Sequence, residues 1–164
     1  MKRLLWILLL LCFTGCQSKP TGFPDIVPCS VIVTDDGKPI AGVSVSLHSA
    51  TPVKYFSGGI TDENGVAEIK TSQGNRVQKG IPHGKAVLVL TKTPEVDDWK
   101  TLEEQGRMST EELMAYSAEK QRRSAKLPPV IPKQLTDAKT SPLVKDIVSG
   151  QSLQWKVDIA ELKK

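Results

Sequence analysis

Two stretches of this chain place an apolar side chain at every second residue, and that period fixes the kind of structure the chain can build. Val43, Val45 and Leu47 alternate with Ser44 and Ser46, and Leu153, Trp155, Val157 and Ile159 alternate with Gln154, Lys156 and Asp158. Successive side chains of a strand point to opposite faces, so each stretch predicts a strand with one buried and one wet face. The serines are expected to face water and Trp155 to anchor the core. Cys29 to Thr34 is rich in β-branched residues and runs into the turn formers Asp35, Asp36, Gly37, Lys38 and Pro39. Tyr55 to Thr61 and Val66 to Lys70 flank Asp62, Glu63, Asn64 and Gly65; the last two tolerate positive φ, which predicts a hairpin. Thr71 to Gly80 reads as an irregular link. Gly84 to Thr91 is almost continuously apolar and predicts a central strand covered on both sides. Leu143 to Val148, with Ser149 and Gly150 as the following turn, completes a set of seven strands. Short strands with turn residues between them predict an all-β fold, a seven-stranded antiparallel β-sandwich, with a barrel as the alternative.

One segment departs from this pattern. From about residue 94 to 130 the composition turns to charge, and Ser109 with Glu112 matches a capping box that opens a helix near Thr110. Lys120, Arg122 and Arg123 fall near its end, where cations suit the helix dipole, and Pro128 and Pro129 stop it. Its apolar positions form a weak stripe, so this helical insertion is expected to lie on the sandwich or to project from it.

The start of the chain has a different logic. Lys2 and Arg3 precede ten apolar residues, Leu4 to Phe13, and Thr14, Gly15 and Cys16 follow. This is the three-part plan of a secretory signal. Ten helical residues rise about 15 Å, half of a bilayer core of about 30 Å, so the run is too short to span. Phe13, Thr14, Gly15 and Cys16 resemble the lipobox of bacterial lipoproteins, although Phe13 stands where Leu is usual. The resemblance implies a signal peptide over residues 1–15, cleavage before Cys16 and diacylglycerol on its sulfur. Residues 16–28, with three prolines, read as a semi-rigid tether, and 29–164 as the folded domain. Ser18 in place of an inner-membrane retention Asp favours an outer membrane.

Composition narrows the chemistry. With 39% hydrophobic and 24% charged residues in 164, the chain is an ordinary globular one of a size that needs no disulfide or structural metal. Without Lys2 and Arg3, 20 basic residues face 18 acidic ones, which predicts no nucleic-acid partner. Cys12 belongs to the leader and Cys16 to the anchor, so Cys29 is left as a single thiol, read as a small buried hydrophobe. His48 and His83 stand in unrelated settings without a zinc motif, and no G-x-S-x-G elbow or phosphate loop is present. Asp62, Glu63 and Asn64 lack the spacing of a calcium loop and read as turn chemistry. Lys120 to Arg123 reads as a solvated helix end, and Trp99 as a packing anchor with sugar stacking as the alternative. No catalytic residue, cofactor or metal site is expected.

The segment from Cys29 to Thr91 also resembles a carboxypeptidase regulatory-like, or transthyretin-like, domain. Asp36-Gly37-Lys38-Pro39-Ile40-Ala41-Gly42-Val43, Thr61-Asp62-Glu63-Asn64-Gly65-Val66 and Gly84-Lys85 carry the likeness. Ile131-Pro132-Lys133, Asp137 and Lys139 to Leu143 are similar to small lipoproteins of planctomycete type. The resemblance implies a prealbumin-like sandwich with an accessory role and no carboxypeptidase activity. A transthyretin-like hydrolase is a second relative, but its Tyr-Arg-Gly-Ser ending is missing. The expectation is an exported, lipid-anchored, non-enzymatic binding or structural module of a bacterial cell envelope, with a membrane contact through its anchor and an envelope protein or glycan as partner. A hydrolase or a carbohydrate-binding accessory protein is the alternative.

Overall fold

The computed structural model describes residues 22–49 and 54–163. The leader, Cys12, Cys16 and the first part of the tether lie outside the described residues. Twelve strands are formed among those described: β1 (Ile26–Val27), β2 (Cys29–Asp35), β3 (Lys38–Pro39), β4 (Ser44–Ser49), β5 (Phe56–Ile60), β6 (Val66–Glu68), β7 (Lys70–Gln73), β8 (Arg76–Lys79), β9 (Ile81–Pro82), β10 (Gly84–Thr91), β11 (Val144–Ile147) and β12 (Leu153–Asp158). Two helices, α1 (Leu102–Gly106) and α2 (Thr110–Ser124), lie between β10 and β11, followed by a single 3-10 turn at Lys133–Leu135. The strands make three open sheets. One has the order β11-β10-β4-β5-β7-β8, a second β12-β2-β3 with β6 beside β2, and the third is the pair β1-β9.

The seven-stranded antiparallel sandwich of transthyretin, or prealbumin, type is therefore not the fold, and the all-β class gives way to a mixed α/β arrangement of open sheets. The seven anticipated stretches are extended, but they are joined differently. First, β12 runs parallel to β2, with Trp155 beside Val31 and Val157 beside Val33, a pairing that an all-antiparallel sandwich excludes. Second, the turn at 62–65 forms, with Asp62 Oδ1 accepting the N–H of Asn64 and of Val66 at 2.9 Å each and Gly65 at φ 72. It does not join a hairpin, because β6 pairs with Ser30 to Ile32 of β2 while β5 pairs with β4 and β7. Third, the stretch Val66 to Lys70 breaks at Ile69, whose N–H donates to Cys29 O at 3.1 Å and whose carbonyl accepts from Gly80 N–H at 2.7 Å. There the chain leaves one sheet and enters another. The supposed link from Thr71 to Gly80 is the β7-β8 hairpin, turning at Gly74 with φ 57.

One core holds the two larger sheets. It draws Val31, Val33, Trp155 and Val157 from the four-stranded sheet and Val45, Leu47, Leu88 and Leu90 from the six-stranded one. The alternation read from sequence is visible in β4, where Val45 and Leu47 are buried, Ser44 is exposed and Ser46 half-buried. β10 lies inside its sheet between β4 and β11, and Val89 is buried on the face opposite Leu88. Buried hydroxyls are satisfied locally, as they must be away from water. Thr71 Oγ1 donates to Gly80 O at 2.7 Å and meets Ser57 Oγ at 2.8 Å, while Thr61 Oγ1 donates to Ile40 O and accepts from Val43 N–H.

The turn between β2 and β3 is held from a distance. Asp36 and Gly37 both have positive φ, 54 and 74, the geometry of a two-residue hairpin loop that matches strand twist. The Asp158 carboxylate at the end of β12 accepts their N–H groups at 3.0 and 2.8 Å. The Gly37 N–H leads the bonds that hold this carboxyl below the usual range. The parallel strand is thus fastened to the β2-β3 turn as well as to β2.

Candidate functional site

The insertion is held together by contacts within itself, with Tyr116 and Ser124 of its long helix buried. Ser109 and Thr101 both cap their helices with full capping boxes: each side-chain oxygen accepts from the backbone three residues on, and Glu112 and Glu104 reach back to the cap N–H. Tyr116 and Ser124 are the buried residues of α2, yet Tyr116 stands apart from the main core cluster. They face the 94–99 segment instead. Tyr116 Oη donates to Asp98 Oδ1 at 2.6 Å, Lys120 Nζ donates to the same oxygen at 2.5 Å, and Ser124 Oγ donates to Pro94 O at 2.7 Å. The Lys120 hydrogen bond, then that of Tyr116, holds the Asp98 carboxyl low, and Asp98 in turn raises both Tyr116 and Lys120.

Trp99 closes this unit. Its ring centroid is 4.5 Å from that of Tyr116, tilted by 55°, and Arg123 Cζ sits 4.2 Å from the indole centroid. A guanidinium over an indole face is a favourable cation–π contact, and here it takes a face that a sugar ring would need. Arg123 also donates to Glu119, and Lys120 is held by Asp98, so two of the three cations near the helix end are engaged within the insertion. An open cleft of about 670 Å³ lies between the loop and the helix, lined among others by Pro94, Glu95, Asp97, Asp98, Lys120 and Gln121. Tyr116 and Lys120, four apart on one helix face, were a legible pair. Their carboxylate partner was not, because Asp98 lies 18 residues upstream of Tyr116.

The two histidines border one crevice. His48 and His83, in unrelated settings along the chain, both line a crevice with Tyr55, Ser57, Pro82 and Lys85 where the start of β10 passes β4. Its volume is about 10 Å³, the scale of one water molecule, too little for a substrate. His48 Nε2 meets Ser46 Oγ at 3.3 Å on the outer face of β4. Asp62 spends its side chain on the turn described above. Among the described residues no group of three or more His, Cys, Asp or Glu is placed to hold a metal ion, and no helix is long and apolar enough to cross a membrane.

Cys29 is buried at the start of β2, and burial pushes its thiol from 9.0 up to about 11, only partly offset by Lys145. The thiol of the folded protein should resist an aromatic disulfide reagent at pH 8 and react fully in guanidinium chloride. Because the unfolded thiol ionises first, Cys29 favours folding below pH 9 and loses that contribution as pH rises from 9 to 11. Unfolding curves of the protein and of Cys29→Ala should therefore diverge across that window; parallel curves would exclude the burial of the thiol.

No family model, curated protein or solved structure matches this chain. The resemblance to carboxypeptidase regulatory-like and transthyretin-like domains is thus corrected twice, by the open-sheet topology and by the want of any matching family.

Proposed function

We propose that this chain is a lipid-anchored, non-enzymatic binding or structural module of a bacterial cell envelope, held to a membrane surface by an acylated Cys16. The observation that carries the reading is the order of a basic pair, a ten-residue apolar run too short to span, and Thr14-Gly15-Cys16. Two or three acyl chains anchor durably, because each buried methylene adds about 0.8 kcal/mol. The body supplies binding surface in place of a reaction centre: β8, β11 and β12 each lie at a sheet edge, where a partner strand from an envelope protein can be added.

Replacing the acylated residue tests the reading. Cys16→Ser should move the protein from the membrane pellet to the soluble fraction, with a loss of nearly all sedimenting material. A variant that pellets as the parent does would refute the anchor.

A further inference from the structure

We infer that the outer face of the β5-β7-β8 edge seats the folded body on an anionic phospholipid surface. The inference rests on the anchor reading above and names the side of the body that meets the bilayer. Phe56 pairs with Ser72 and Ser72 with Val77, so the three form one row across the strands. Directly paired residues share a face, and Thr71 is buried, so this row points away from the core. Phe56 is 60% and Val77 61% exposed. The adjacent row is Gly58, Lys70 and Lys79. A Cβ on Gly58 would lie 2.9 Å from Phe56 Cζ, so the phenyl ring lies across the glycine and adds its flat side to the outer surface.

Charge complements this apolar row. On this face the cations are Lys70 and Lys79, the latter paired with Glu68 at 3.0 Å, while Arg76, paired with Gln73, alternates to the opposite face. Aromatic and aliphatic side chains flanked by lysines make a surface that enters the headgroup layer while its ammonium groups meet phosphate. Position supplies the second argument. A Cβ on Gly80 would lie 2.3 Å from Val27 O and 2.5 Å from Ile26 Cγ2, so the residue after Lys79 touches the point where the tether joins the fold. Val77 is three residues from Gly80, about 10 Å along a strand. Ile26 is ten residues from Cys16, a reach of about 36 Å at most. So short a lead holds this edge within range of the headgroups. The insertion is rooted after Thr91, at the far end of β10, about 23 Å of strand from Gly84.

The test uses the full acylated chain in vesicles of equal parts phosphatidylcholine and phosphatidylglycerol, with a polarity-sensitive dye on Val77→Cys and, as reference, on Met114→Cys of α2. Intact mass is measured first. A chain without acyl mass refutes the anchor and the seating with it, whereas an acylated chain tests the seating alone. The dye at 77 is expected to shift to the blue and the dye at 114 to stay aqueous. Lys70→Gln and Lys79→Gln should each weaken the shifted population about fivefold. Three results would overturn the inference: a dye at 77 as aqueous as that at 114, a shift undiminished in pure phosphatidylcholine, or a shift in lipid-free detergent that grows with protein concentration, which would assign the patch to a second copy of the chain.

Discussion

Trp155→Ala is expected to lower the free energy of unfolding by about 3–5 kcal/mol, the range for removing a buried indole. The side chain is 7% exposed, sits beside Val31 in the parallel ladder, and lies under Lys145, whose Nζ is 5.7 Å from the ring centroid. Val31, Val33 and Leu88 are fully buried in the same core, so the lost indole leaves a cavity among packed side chains. Against a total of about 5–15 kcal/mol for a domain, the loss takes a large share of stability. Urea unfolding of the two proteins measures it, with Trp155→Phe falling between them. A Trp155→Ala variant within about 1 kcal/mol of the parent would mean that the indole is not part of the core.

Gly80→Ala ranks second. Its φ of +118 belongs to a region reserved for glycine, at a strain of about 1–3 kcal/mol for any other residue. Backbone sterics add to this: the new methyl would meet Val27 O at 2.3 Å, and a carbonyl cannot turn aside as a flexible side chain can. The expected result is a loss of roughly 3 kcal/mol or more, or release of the β1-β9 pair, seen as faster amide exchange at Ile26, Val27 and Ile81. Gly74→Ala is the control. It shares a positive φ of 57 but has nothing within 4 Å of the added carbon, so it should cost only about 1 kcal/mol. Equal losses at the two glycines would show that the contact with Val27 carries no weight.

What the sequence discloses and what it hides divide along a physical line. Strand formation is a local matter of β-branching and alternation, and Val43 to Leu47 and Leu153 to Ile159 declare it openly. Partner choice is a matter of distant segments. The turn signal at Asn64-Gly65 is real, and Asp62 braces it, yet it cannot report that β5 and β6 join different sheets. Ile69 looks like any inward residue of a strand; only the bonds to Cys29 and Gly80 make it a corner. The β7-β8 hairpin carries no alternating sequence pattern because an exposed edge strand such as Arg76–Lys79 has no buried face to alternate against. Gly74-Asn75 was its one legible mark. The insertion helix, by contrast, was fixed by Ser109 and Glu112, since capping is settled within four residues. Its partners at Asp98 and Trp99 were not, and neither was the crevice that His48 and His83 both line.

The parallel pairing of β12 with β2 has a consequence in time. Cys29 to Thr34 emerge early in synthesis, but their neighbour along one edge is Leu153 to Asp158, with the whole insertion made in between. Closing so long a loop is slow, and contacts of this separation form late. Until that stretch arrives the valines of β2 have one flank bare, so the four-stranded sheet is completed last, by the end of the chain.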